Sequence, residues 1–290
     1  MNIAVNTNSL RKNFSNAEMV ELIKDVGATG IEWGLRGLDS IREDTREMAQ
    51  RTRDAGLELV SFINGPKLHL TDEVLRYTEA VAAAGGKMLR VAHPWYAWDY
   101  NEALHQPDSY DYLLKITREG MERLESAGRQ AGVRYVLETH GSSVFASPVA
   151  NHFILKGLDP QVFGIIYDPA NTYIEGFVRP RGAVEVMGPY LAYLHIKNFR
   201  WEYFMQELPR GRKRESVRAV KCSLERGLVD YEEVFFALKV AKFEGWLSFE
   251  EMYSAPDAVA AEIKAGIAHL QECKANAPAA PCEPFKSFNW

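Results

Sequence analysis

Short apolar runs alternate along the chain with longer stretches in which apolar side chains recur every three to four residues. Ile3 to Asn6, Gly30 to Trp33, Leu57 to Ile63, Met88 to Val91, Arg134 to Leu137, Phe163 to Tyr167, Leu191 to Ile196 and Trp246 to Phe249 read as strands. Between them, Asn16 to Lys24, Asp39 to Ala55, Thr71 to Ala84, Asp108 to Gly132, Ser147 to Leu155, Gly182 to Met187, Tyr231 to Ala241 and Ala255 to Cys273 read as helices. The punctuation agrees: Asp39, Thr71 and either Asp108 or Ser109 are expected as helix-capping residues, and Gly56 and the Gly85-Gly86 pair stop the helices before them.

Strand–helix alternation implies a parallel sheet. Eight such units in one chain of 290 residues predict closure into a single α/β domain, a (β/α)8 barrel. The barrel is expected over residues 1–274, with an insertion near 199–228 after the seventh strand. A Pro- and Ala-rich tail follows over 275–290, whose Phe285, Phe288 and Trp290 could dock on the barrel or on a second subunit. A hydrophobic content of 47% suffices for a large core, and a net charge of −5 argues against a surface built to neutralise phosphates. Cys222, Cys273 and Cys282 are sparse and odd in number, which fits reduced thiols rather than a disulfide framework or a zinc site. Neither a signal segment nor a membrane-length apolar run is seen, so a cytoplasmic protein with no nucleic acid or membrane partner is expected.

In a barrel of this kind the carboxyl ends of the strands carry the chemistry. Here they read VLETH to His140, IYDPAN to Asn171, LHIKN to Asn198 and SFEE to Glu251. Period-two alternation puts Glu138 and His140 on one face of their strand, and His195 and Lys197 on one face of theirs. Four consecutive strands thus offer Glu138, Asp168, His195 and one of Glu250 or Glu251. Singly, each is an ordinary loop residue. Together, three carboxylates and an imidazole repel one another unless a cation holds them, and an oxygen-rich set with one nitrogen suits a divalent metal ion: Mn²⁺ first, with Mg²⁺, Co²⁺ or Zn²⁺ as alternatives.

These motifs, with GLVDYEEVFFAL at Gly227 to Leu238 and GWLSFEE at Gly245 to Glu251, resemble the xylose isomerase-like barrel superfamily. They are most similar to its sugar phosphate isomerase/epimerase group, which shares its fold with endonuclease IV. The resemblance spans Met1 to about Leu270. It implies Glu138, Asp168, His195 and Glu250 as metal ligands, with Glu251 turned away. It places Asn171 where many of these epimerases carry a substrate-binding histidine, so titration is lost there and His140 becomes the candidate acid/base, or else a structural histidine. Lys197 would stabilise an enolate oxygen or simply neutralise the carboxylates. Glu32, Arg90 and His93 fall on pocket-wall positions, with the aromatic Trp95, Tyr96 and Trp98 beside them. The basic run Pro209 to Glu215 suits an anion grip, a lid, a solvated loop or a subunit contact.

The implied activity is metal-assisted proton transfer beside a carbonyl of a sugar or keto-sugar, through an enediolate, with Glu138 and Glu250 removing and returning the proton: an isomerase or epimerase. A lyase, either a dehydratase or a keto-glycoside-cleaving enzyme, would use the same site. An AP endonuclease is a remote alternative, disfavoured by Asn171 and by the acidic charge. A non-catalytic barrel would waste a complete ligand set. A homo-oligomer is expected by resemblance, with a partner subunit conceivable for a lyase.

Overall fold

A computed structural model describes residues 1–94, 109–141, 143–176 and 178–279. Trp95, Tyr96, Trp98, Cys282, Phe285, Phe288 and Trp290 lie outside the described residues. The chain folds as a closed barrel of eight parallel strands: β1 (Asn2–Asn6), β2 (Gly30–Gly34), β3 (Glu58–Ile63), β4 (Met88–Arg90), β5 (Arg134–Glu138), β6 (Phe163–Tyr167), β7 (Leu191–Ile196) and β10 (Trp246–Phe249). The ring closes where Asn2 to Val5 of β1 pair with Trp246 to Phe249 of β10. Helices α1 (Asn16–Asp25), α2 (Ile41–Asp54), α3 (Thr71–Ala83), α4 (Ser109–Ala131), α5 (Pro148–Leu155), α6 (Pro169–Gly176), α7 (Pro180–Met187), α8 (Tyr231–Val240) and α9 (Val259–Asn276) connect the strands. This is a single-domain (β/α)8 barrel, as the alternation predicts. Among the described residues no helix is long and apolar enough to cross a membrane.

Local chemistry sets the ends of these elements. Ser15 and Glu18 form a reciprocal capping box that opens α1, and Asp230 accepts the Glu233 amide at 3.1 Å to open α8. The inward side chains stack in layers. Val136, Ile166 and Tyr193 form a buried apolar plug, with Met88 and Trp246 against it. Gly30 makes room for that plug, because a Cβ there would stand 2.5 Å from the Trp246 ring. Two residues further along the same strands, the inward positions become charged at Arg90, Glu138, Asp168 and His195, and on the last strand Ser248 stands at that step with Glu250 one step beyond.

The insertion is not a loop. It forms an antiparallel hairpin, β8 (Asn198–Glu207) with β9 (Lys213–Cys222), paired at every rung from Asn198↔Cys222 to Glu207↔Lys213. The basic run occupies its tip. A short helix not expected from the sequence, α6, begins immediately after Asp168.

Candidate metal centre

The carboxyl ends of β5, β6, β7 and β10 bring together Glu138, Asp168, His195 and Glu250, each offering one ligand atom within 4.8 Å of the others, and all four buried. His195 decides how the set is arranged. Its Nε2 lies 3.1 Å from Glu32 Oε1, and since a carboxylate only accepts, the proton belongs on Nε2. Its Nδ1 faces the cluster, 3.1 Å from Glu138 Oε1 and 3.5 Å from Glu250 Oε1, and by the same rule carries a proton there that a bound metal ion would displace.

Each carboxylate is anchored by a second partner. Arg90 Nη2 stands 2.6 Å from Glu138 Oε2, and Asn171 Nδ2 donates to Glu138 Oε1 at 3.2 Å and to the Thr139 carbonyl at 3.0 Å. Asn6 Nδ2 donates to Glu250 Oε1 at 3.1 Å. Asp168 Oδ1 accepts the Asn171 amide at 2.9 Å. Lys197 Nζ bridges the ring, 2.7 Å from Glu250 Oε2, 2.6 Å from Asp168 Oδ2 and 3.8 Å from Glu138 Oε1. The Asp168 contact lies outside hydrogen-bond geometry, so Oδ2 is a buried carboxylate oxygen without a hydrogen-bond partner among the described residues.

The electrostatics follow. Burial works to raise the Glu138 carboxyl, but Arg90, His195 and Lys197 outweigh it and hold it well below the usual range. Burial works to lower His195 and Lys197, yet the carboxylates around them hold both well above their ordinary values. Asp168 is pushed up to about 6, chiefly by burial and against the pull of Lys197. Four carboxylates (Glu32, Glu138, Asp168 and Glu250) face two permanent cations, Arg90 and Lys197. A divalent ion that displaced the Nδ1 proton of His195 would balance that deficit, and the donor set beside Nδ1, with Asp168 Oδ2 paired only to Lys197 among the described residues, suits one. The residues present therefore fit a divalent metal.

The other expected residues are placed as follows. Glu32 is not on the pocket wall. It lies fully buried beneath His195, taking a short hydrogen bond from the Tyr193 hydroxyl and a 2.6 Å one from Ser248 Oγ. Its position on β2, below the charged layer, is what removes it from solvent. His93 is buried, stacked on Phe145 at 5.8 Å with a ring centroid 6.4 Å from that of His140. Burial pushes its pKa down to about 3, with Arg90 adding to the shift. His140 is partly buried, its Nδ1 donating to the Gly141 carbonyl at 3.2 Å, and burial lowers it despite Glu138. Glu251 turns to its own loop, accepting the Tyr253 and Ser254 amides at 3.1 and 3.0 Å.

Asn6, Tyr193 and Ser248 were not singled out from the sequence. The signal was present for two of them: Tyr193 shares the strand face of His195, and Ser248 that of Glu250.

The family described as xylose isomerase-like TIM barrel matches residues 20–273. No curated protein matches the chain in sequence. Among solved structures, the 3-keto-D-glucoside 4-epimerase YcjR of E. coli is 18% identical with a TM-score of 0.72, over 94% of this chain and 100% of that one. The probable 3-DHS dehydratase AsbF of Bacillus anthracis is 18% identical with a TM-score of 0.66, over 91% and 98%. The IolI protein, solved with a binding zinc atom, is 14% identical with a TM-score of 0.72, over 96% and 99%. At such identities the likeness is one of fold.

Proposed function

The chain belongs to the xylose isomerase-like TIM barrel family, and we propose that it is a divalent-metal-dependent enzyme that isomerises or epimerises a sugar or keto-sugar by proton transfer beside a carbonyl. The observation that carries this reading is the pair Glu138 and Glu250. In the order of the barrel, β10, β7, β6, β5, they stand at the ends of strands with two others between them, and His195 Nδ1 lies between their inner oxygens. Glu138, Asp168, His195 and Glu250 would hold one ion, Mn²⁺ first among the candidates. When bound, that ion would supply Lewis-acid polarisation of a carbonyl and its neighbouring hydroxyl.

The chain's own residues do the rest. Arg90 on Glu138 Oε2, and Lys197 and Asn6 on Glu250, keep both carboxylates ionised and fixed in direction, as a base must be. A proton taken by one carboxylate and returned by the other to the opposite face inverts the carbon. Returned to the neighbouring carbon, it exchanges aldose for ketose. Asn171 cannot titrate and serves to orient Glu138.

A lyase acting through the same site is the second reading. It is favoured by His140, a partly buried imidazole held neutral by burial two residues beyond Glu138, which could take the proton beside the carbonyl as a base, while a carboxyl group of the site gives a proton to the departing β-substituent. AsbF, a barrel of this fold, carries a dehydratase description.

One experiment separates the readings. Bound metal is measured on the purified protein, which is then incubated in D₂O with Mn²⁺ and a panel of ketoses, 3-keto sugars and keto-glycosides, with proton NMR as readout and Glu250→Gln as control. Deuterium entering beside the carbonyl with an epimer or isomer formed supports the first reading, and loss of a β-substituent the second. A protein that binds no stoichiometric metal, and whose variant matches the parent throughout, excludes both.

A further inference from the structure

The β8–β9 hairpin has two unlike faces. Its register sets Trp201 opposite Ala219, Tyr203 opposite Val217 and Met205 opposite Glu215 on one face. The other carries the pairs Arg200–Val220, Glu202–Arg218, Phe204–Ser216 and Gln206–Arg214. That second face is already satisfied within the hairpin. Arg200 and Arg218 clasp Glu202 at 2.8 and 3.3 Å, Arg218 lies 5.4 Å over the Phe204 ring, and Arg214 donates to Gln206 at 2.9 Å. The first face is open and apolar apart from Glu215 near its tip, with Tyr203 84%, Met205 55%, Val217 47% and Trp201 39% exposed.

A two-stranded ribbon with one such face is marginal in water, and a contiguous exposed apolar surface marks a contact. The root is tied down: Asn198 Nδ2 donates to the Leu224 and Val229 carbonyls at 2.7 and 3.1 Å. The arm beyond that root is what stands uncovered.

We infer that this face is a docking arm for a second copy of the same chain. Charge supports that occupant. Residues 198–222 carry seven Lys and Arg against three Asp and Glu, a net +4, within a chain whose total is −5, which leaves −9 on the other 265 residues. A second copy therefore offers each basic arm an acidic body, and a twofold arrangement satisfies both arms at once. Area supports it as well. At ~3.3 Å per residue and ~10 Å across two strands, a ten-residue ribbon presents roughly 330 Å² on one face. Two arms seated reciprocally, each covering an equal area of its partner, bury on the order of 1,300 Å², within the range of stable interfaces.

The test uses the full chain. Sedimentation velocity and light scattering at micromolar concentration should show a dimer that loosens with rising salt. Tyr203→Ser combined with Met205→Ser should weaken it at least about tenfold with the melting temperature nearly unchanged. Hydrogen exchange offers a readout that needs no variant: amides of residues 201–205 and 215–219 should be protected in the dimer and exchange faster on dilution. A parent protein that is monomeric, with hairpin exchange independent of concentration, overturns the inference and assigns the face to some other partner. A variant dimer as tight as the parent's overturns it too, by placing the contact between copies elsewhere.

Discussion

The Glu32 carboxylate never reaches solvent, yet the side chains of His195, Tyr193 and Ser248 all converge on it. Its work is to fix the tautomer and ring plane of His195, so that Nδ1 and not Nε2 meets the cluster. Such an outer partner is expected to matter for metal affinity about 10- to 100-fold. Glu32→Gln should therefore weaken divalent-metal binding by that factor in a chelator-competition titration. One amide donor facing other donors should also cost about 1–3 kcal/mol of stability. Unchanged affinity in the variant would mean that His195 is oriented by the barrel wall alone. His93 makes a different prediction. Folded, it stays neutral down to about pH 3, because burial opposes the charge, whereas an unfolded histidine titrates near pH 6.5. The unfolded chain thus binds the extra proton first, and stability is lost as pH falls from about 6.5 toward 3, by up to a few kcal/mol (an order-of-magnitude figure). His93→Gln should flatten the fall in melting temperature between pH 7 and pH 5; a parallel fall in both proteins would place the acid sensitivity elsewhere.

At the scale of elements, the register of β10 is held from behind by α9. Gly266 lies against the Phe249 ring so closely that any Cβ there would collide with it, and Phe249 immediately precedes Glu250. Gly266→Ala should displace Phe249, costing roughly 1–3 kcal/mol by overpacking, and should lower metal stoichiometry as Glu250 moves. A thermal melt and a metal assay on one sample would show whether both effects occur. The same element shows why parts of the fold were legible in sequence. Trp246 to Phe249 is a short apolar run ending in acid, and β5 and β6 share that grammar because their inward faces pass from plug to charged layer. The hairpin hid its nature. Phe199, Trp201, Tyr203 and Met205 recur at every second position, but Phe204 breaks the polar alternation, a basic run follows and no barrel strand receives the pairing, so the segment reads as a loop. Helix α6 was equally hidden, since Asp168 is both candidate ligand and the acceptor for the Asn171 amide in its first turn. Glu32 could be placed at a strand end but not at a depth, which depends on the stagger of β2 against β7, a property no local pattern carries.

For the molecule as a whole, the barrel spends stability to hold like charges together, and Lys197 shows how that cost is met. Its ammonium sits 2.6 Å from Asp168 and 2.7 Å from Glu250, the oxygens a divalent ion would also use. Protein cation and metal ion thus draw on the same carboxylates. Metal that binds only the folded state should stabilise it by about 2.7 kcal/mol at a hundredfold excess over Kd, a rise of several degrees in melting temperature that a chelator reverses. Lys197→Met should separate the two contributions. Without metal, an uncompensated buried carboxylate pair should cost about 3–5 kcal/mol, so the variant should melt well below the parent. With metal, the ion neutralises much of that repulsion, and the gap between variant and parent should narrow, making the metal-induced shift larger in the variant than in the parent. Calorimetry on both proteins, with and without the ion, measures all four melting points. If instead the metal shift is smaller in Lys197→Met, Lys197 supports the bound ion rather than substituting for it, and its ammonium belongs among the groups that face the substrate.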